Sequence, residues 1–306
     1  MGMLKYIWKN DQSFMTTTSH SEFGSLKSIF IKRVSDAFVS NELMENQWKR
    51  LNYLGKPDYE TATIEYLAFE KLLIDTGAKV HYLPFSGEVT MDSIYCRDAA
   101  IATDGGMIIC RMGKPDRVNE PCQERLAFEK EGIKILGEIE APGTLEGGDV
   151  AWLDQKTLAV GHTYRTNESG IAQLRNLLDS IGVELIVAEM PHYRGESDVF
   201  HLMSVFSPVS ENIAVVYSPL MPIKFRNELL NRGYKLVEVP EEEFDSMGCN
   251  VLAIAPGKCV MVKGNPKTKA GLLAAGCTVL EYDGKEISVK GGGGPTCLTR
   301  PVLREL

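Results

Sequence analysis

Thr76-Gly77-Ala78-Lys79-Val80-His81-Tyr82-Leu83 runs from the end of a helix-like stretch, through a glycine, into a short apolar strand. The same arrangement returns as Glu131-Gly132-Ile133-Lys134-Ile135-Leu136, Ile181-Gly182-Val183-Glu184-Leu185-Ile186, Arg232-Gly233-Tyr234-Lys235-Leu236-Val237 and Ala275-Gly276-Cys277-Thr278-Val279-Leu280. A glycine just past a helix adopts the left-handed conformation without a Cβ clash, and so closes the helix. One such joint occurs in any α/β protein. Five of them, about 50 residues apart, indicate one repeated unit, and a closed array of such units brings its functional groups together where the units converge.

The segments between the glycines fill in the unit. Asn265-Pro266 reads as an N-cap followed by proline at the first helical position, and Met221-Pro222 is a weaker version. Ile171, Leu174, Leu177, Leu178 and Ile181 fall on one helical face. Strand pairs are expected at 94–102 with 107–111, 150–153 with 157–160, 202–207 with 213–217 and 251–255 with 259–262. The short polar links Asp104-Gly105-Gly106, Asp154-Gln155-Lys156 and Pro256-Gly257-Lys258 suit tight hairpins. The first unit is split: a strand at 26–34 stands near the N-terminus, and the strand after Thr296 closes the ring onto it. The predicted fold is α/β, five strand-strand-helix-strand modules around a pseudo-fivefold axis, strands inside and helices outside, in a single domain over 1–306. Residues 1–24 are expected to be a polar N-terminal arm or part of the first unit. The irregular stretch 35–59 is expected to be a lid or a surface insertion.

Composition narrows the function. A net charge of −8 argues against nucleic acid or an anionic membrane as partner, and fits a small cationic ligand. No run approaches the ~18 apolar residues of a membrane span, and the N-terminus lacks the apolar core of a signal peptide. Seven cysteines without a pairing pattern point to a reducing, cytoplasmic setting. Cys96, Cys110, Cys249, Cys259 and Cys277 sit in apolar strands as small buried hydrophobes, and Cys122 opens a helix. No Cys/His grouping has zinc spacing.

Cys297 differs. It follows Gly291-Gly292-Gly293-Gly294-Pro295-Thr296, which can be neither helix nor regular strand. Such a loop is expected to approach a ligand closely and to leave amides free for developing negative charge, and a cysteine on it is a candidate nucleophile. Leu145-Glu146-Gly147-Gly148-Asp149-Val150 opens the third unit, and Phe200-His201-Leu202-Met203-Ser204-Val205-Phe206 opens the fourth in the equivalent place. Tyr95-Cys96-Arg97-Asp98 stands on the first strand of the second unit. Each of these has an ordinary reading: a solvated acid in a turn, a structural histidine, a chance thiol. Together, Cys297, His201, Glu146 and Asp98 come from four modules at the same position. They supply a thiol, a proton shuttle, a carboxylate to orient it and a second carboxylate to hold a cation.

The set Glu146-Gly147-Gly148-Asp149, His201-Leu202 and the glycine-rich Cys297 loop resembles the guanidino-group-modifying enzymes of the pentein, or amidinotransferase, superfamily, over about 26–300. That superfamily includes dimethylarginine dimethylaminohydrolases, arginine deiminases, agmatine deiminases and amidinotransferases, on a five-module propeller. The resemblance implies Cys297 as nucleophile, His201 as general acid/base, Glu146 as a carboxylate paired with His201 or substrate, and Asp98 as the guanidinium grip. It implies Arg117 and Arg165 on the substrate carboxylate, Asp92 near an α-amino group, and Ser204, Tyr95 and Arg97 at the binding site. Met203 stands where the deiminase branch has a second acid, as in dimethylaminohydrolases, while Arg97 before Asp98 is the deiminase-like choice. The implied activity is hydrolysis of arginine or methylated arginine to citrulline plus ammonia or an amine, through a covalent thiouronium and with no metal or organic cofactor. The implied alternatives are amidino transfer to an amine, an arginine dihydrolase giving ornithine, and a catalytically silent binding module. A homo-oligomer is compatible with this reading.

Overall fold

The computed structural model describes residues 17–306. The five glycines that close the helices all adopt positive φ, from 70° at Gly182 to 92° at Gly276. Helices Tyr59–Ile74, Glu120–Lys130, Glu168–Asp179, Ile223–Asn231 and Pro266–Ala274 each end just before one of them. The strands that follow are half-buried, whereas the hairpin strands in front of the helices are almost fully buried.

The described residues form five three-stranded sheets, one per module. β1 (Ser25–Ile31) pairs parallel with β2 (Lys79–Tyr82). β3 (Ala100–Thr103), β4 (Gly106–Ile109) and β5 (Ile135–Glu138) make the second sheet; β6 (Val150–Asp154), β7 (Thr157–His162) and β8 (Glu184–Glu189) the third. β9 (Phe206–Ser210), β10 (Ile213–Val216) and β11 (Lys235–Glu238) make the fourth, and β12 (Leu252–Ala255), β13 (Lys258–Val262) and β14 (Thr278–Tyr282) the fifth. β15 (Thr299–Glu305) runs antiparallel to β1, with Ile31 opposite Thr299, so the C-terminal strand completes the first sheet and closes the ring. In every sheet an antiparallel pair is followed by a parallel addition, which is the strand-strand-helix-strand unit the sequence predicts.

The core lies between modules. One apolar cluster joins Ala151 and Leu153 of β6 to Phe206 of β9 and Met261 of β13; another joins Ile29 and Ile31 of β1 to Leu252 and Val260 of the fifth module. Phe206 meets Phe225 edge-on at 5.2 Å and 88°, which ties β9 to its helix. Ile171, Leu174 and Leu178 are buried as the helical face requires, with Leu177 and Ile181 partly buried beside them.

Several local expectations are corrected. The stretch 94–102 is not one strand: Met91–Ile94 is a single 3-10 turn and β3 begins only at Ala100. The stretch 202–207 likewise opens with a 3-10 turn, Leu202–Ser204, before β9. Asn265 sits at the N-cap of Pro266–Ala274, but its amide donates to the carbonyls of Ser246 and Val262. The Glu243 carboxylate takes the helix N–H groups of Lys267 and Thr268 instead. Of the N-terminal arm, 1–16 lie outside the described residues. Thr17, Thr18, His20 and Glu22 are buried, and His20 stacks on Trp152 at 4.3 Å, so this part belongs to the packed ring. The irregular stretch 35–59 contains the helix Asn41–Gln47, and it lays Leu51, Asn52 and Leu54 against the cavity described next.

Candidate active site

Each module presents a short non-strand segment just before its first strand. Asp98 precedes β3, Glu146 precedes β6, His201 precedes β9, Asn250 precedes β12 and Cys297 precedes β15. Around a ring these five positions converge. His201 and Cys297 line both lobes of one cavity, one about 210 Å³ and the other about 20 Å³.

Glu146 is fully buried and its acceptors are filled. Oε1 takes the backbone N–H groups of Gly113 and Lys114, both at 3.0 Å; Oε2 takes Arg165 Nη1 at 3.2 Å and His201 Nε2 at 2.8 Å. Burial alone would raise this carboxyl's pKa. Arg165, His201 and Arg117 outweigh it and hold the group ionised, well below the usual carboxylate range. His201 feels the reverse balance. Burial would lower it, but Asp149, Asp98 and Glu146 lift it to about 9.

Asp149, the last residue of the Glu-Gly-Gly-Asp motif, braces the histidine loop. It accepts from Thr163 Oγ1 at 2.8 Å, Thr166 Oγ1 at 2.6 Å and the Leu202 N–H at 3.0 Å. Ser204 Oγ accepts the His201 N–H at 3.1 Å. Gly148 packs where a Cβ would collide with His201 Nδ1 and Asp98 Oδ1, so only glycine lets these two side chains meet.

Asp98 Oδ2 binds Arg117 Nη1 at 2.5 Å, while Oδ1 faces His201 Nδ1 at 3.9 Å. Asp98 Oδ1 is buried and has no hydrogen-bond partner in the protein. It is an acceptor held ready beside the thiol lobe, where a cationic N–H group fits. Asp98, Glu146 and His201 also offer donor atoms within 4.8 Å of one another, a set that could ligate a metal. Arg117 and Arg165 already neutralise both carboxylates, so a divalent ion would have to displace them.

Cys297 is partly exposed to the cavity; burial and the charge of Asp98 raise its pKa, while Asn250 and Thr296 lower it. Asn250 Nδ2 donates to Sγ at 3.2 Å. The amide is fixed in that sense because Oδ1 accepts from Thr296 N at 3.0 Å and Thr296 Oγ1 at 2.7 Å.

Other expectations change. The amides of the glycine loop are not free: Gly292 and Gly293 donate to Ser288 O at 2.9 and 3.1 Å. The glycines serve close packing instead, since a Cβ on Gly291 or Gly293 would strike Tyr95, and one on Gly294 would strike Asn250. Arg117 is buried and spent on Asp98 and Glu120, with Glu120 Oε2 at 2.7 Å, and Arg165 is engaged by Glu146. Neither stands as an uncommitted carboxylate clamp. Asp92 lines the smaller lobe but is paired with Lys114 Nζ at 2.6 Å. Tyr95 lines that lobe while its hydroxyl donates to Ile287 O at 3.1 Å. Arg97 reaches the cavity wall, yet its guanidinium turns into the ring and donates to Glu22 at 2.8 Å.

Sequence reasoning missed Asn250, Lys114 and Glu120. Asn250 carried a signal, because it precedes the first strand of the fifth module as the other four precede theirs. Glu120 lies three residues after Arg117, a spacing that allows the observed pair. Lys114 carried none.

Comparisons with known proteins agree with this geometry. The chain is 27% identical over 288 residues to the uncharacterized protein YkgA of Bacillus subtilis, covering 94% of this chain and 96% of that one. It is 27% identical over 248 residues to the N(G),N(G)-dimethylarginine dimethylaminohydrolase of Pseudomonas aeruginosa, covering 81% and 91%. The structure of a mutant of the Pseudomonas aeruginosa enzyme complexed with citrulline superposes with a TM-score of 0.74 at 24% identity, covering 92% of this chain and 99% of that one, and so shares the fold. A family model described as N,N dimethylarginine dimethylhydrolase, eukaryotic, matches residues 35–304, and the chain belongs to that family.

Proposed function

We propose that this chain is a cysteine-dependent hydrolase of guanidino compounds, arginine or a methylated arginine among them, that yields a ureido product. The observation that carries the reading is Asp98 Oδ1: a buried acceptor without a partner, 3.9 Å from His201 Nδ1, in the cavity that Cys297 lines. A guanidinium head supplies the missing N–H donor and places its carbon before the thiol. The likeness to a dimethylarginine dimethylaminohydrolase supports the same substrate class.

The chemistry follows from the protonation states. Near neutral pH His201 is charged and Cys297 is a thiol. The arriving cation offsets Asp98 and Glu146 and favours loss of the thiol proton to solvent. Sγ adds to the guanidinium carbon, forming a C–S bond. His201 donates its proton to one nitrogen, the C–N bond breaks, and ammonia or an amine departs. A cationic thiouronium remains on Cys297. Neutral His201 takes a proton from water, the C–O bond forms, the C–S bond breaks, and a ureido compound leaves. Glu146 keeps its negative charge throughout and orients the imidazole through Nε2, leaving Nδ1 toward the cavity. The free cysteines fit a reducing, cytoplasmic setting, and no helix among the described residues is long and apolar enough to cross a membrane.

The test is turnover and trapping. Cys297→Ser is expected to lose at least about a thousandfold in kcat, the scale for removal of a covalent nucleophile. Acid-quenched wild-type mixtures are expected to carry the thiouronium on the peptide containing Cys297. Near-normal turnover by the serine variant would overturn the covalent route.

A further inference from the structure

The two lobes that meet at Cys297 and His201 differ in kind. The smaller, about 20 Å³, is bounded by Asp92, Asp98, Lys114, Arg117 and Arg165, and has room for little beyond a planar head group. Its cations are held internally: Lys114 by Asp92, Arg117 by Asp98 and Glu120, Arg165 by Glu146. The larger, about 210 Å³, opens from the same thiol between Leu54, Phe200, Met203, Phe244 and Met247. Its aromatic wall is braced from behind. Phe244 stacks on Tyr217 at 3.9 Å, and Tyr193 packs against Phe200 at 5.3 Å. The cationic groups at its edge, Arg194 and Lys290, are paired with Asp245 and Glu286.

We propose that the larger lobe is the subsite for the organic substituent of the guanidine, and that it selects an apolar stretch of several carbons. The assignment rests on the hydrolase reading above and adds the substrate class to it. The head must lie against Asp98 and Cys297, so whatever it carries has to leave through the larger lobe. Apolar walls contiguous with the reacting atoms reward a substituent that displaces water from them. A charged group in the middle of this lobe would lose its hydration and meet only ion pairs that are already satisfied.

The experiment measures kcat/KM of the full chain for methylguanidine, butylguanidine, hexylguanidine and arginine, quantifying both the ureido product and the amine released. Burial of each methylene is expected to raise kcat/KM about threefold, so hexylguanidine should exceed methylguanidine by at least thirtyfold. Met247→Glu sets a carboxylate in the lobe wall and is expected to lower the hexyl-to-methyl ratio at least fivefold. Leu54→Glu, on a side chain that is 78% exposed, tests the same point with little risk to folding. Turnover of arginine or methylguanidine with no gain from methyl to hexyl would overturn the lobe assignment alone. No turnover of any of the four compounds would overturn the hydrolase reading with it.

Discussion

Replacing Asn250 tests how the thiol is made reactive. Its Nδ2–H lies 3.2 Å from Cys297 Sγ, and its carbonyl is locked by Thr296, so the amide has one orientation. A hydrogen bond to a charged acceptor contributes about 1.5–3 kcal/mol. One pKa unit corresponds to about 1.4 kcal/mol, so Asn250→Ala is expected to raise the Cys297 pKa by roughly one to two units. Below that pKa the thiolate population, and with it the alkylation rate, falls about tenfold to a hundredfold. A water entering the vacated space would recover part of the bond, which makes tenfold the floor. Asn250→Asp preserves the acceptor for Thr296 but exchanges the donor for an anion, and should slow alkylation more than alanine does. The assay is iodoacetamide labelling at pH 8 with peptide mass spectrometry. Cys122 is exposed and serves as the internal standard, because the other five cysteines are buried. Equal labelling of Cys297 in wild type and Asn250→Ala, normalised to Cys122 in folded protein, would refute the reasoning. Slowing by alanine but not by aspartate would assign the effect to loop loosening instead.

Further outcomes follow from the same geometry. Gly148→Ala places a methyl between His201 and Asp98 and is expected to cost at least about a hundredfold in kcat, with the far-UV spectrum retained; an active variant would show that the two side chains need not meet there. Arg165→Gln is expected to depress turnover of arginine and of carboxylate-free agmatine by the same factor, since Arg165 is bonded to Glu146; a loss confined to arginine would restore the carboxylate clamp the sequence suggested. His201 titrates at about 9 in the folded chain against an ordinary 6.5. Its favourable interactions are therefore complete below pH 6.5 and disappear as pH rises toward 9, an effect of at most about 3 kcal/mol. Melting temperature should fall over that interval in the wild type and much less in His201→Gln; parallel curves would remove the histidine from the account.

The ring was legible because it is built from local rules. A glycine after a helix, a polar hairpin link and an alternating strand each depend on a few adjacent residues, and their recurrence gave module number and order, and the closure of β15 on β1. The 3-10 turns before β6 and β9 were not legible, because a polar residue beside glycines fits a strand entry equally well. Cys297, His201, Glu146 and Asp98 could be nominated because they share one place in the module; Asn250 shares it too, but an asparagine draws less notice than a thiol or an imidazole.

The amino-acid order alone determined the number of modules, their sequence, and the candidate thiol, imidazole and carboxylates. Only the tertiary structure decided which charges remained uncommitted. Pairing is a matter of a few ångströms between residues far apart in the chain, and it turned Arg97 toward Glu22, bound Arg117 to Asp98 and Glu120, and left Asp98 Oδ1 without a partner. Coulomb and hydrogen-bond energies depend so steeply on separation and burial that residue type names the participants, while three-dimensional packing distributes their tasks.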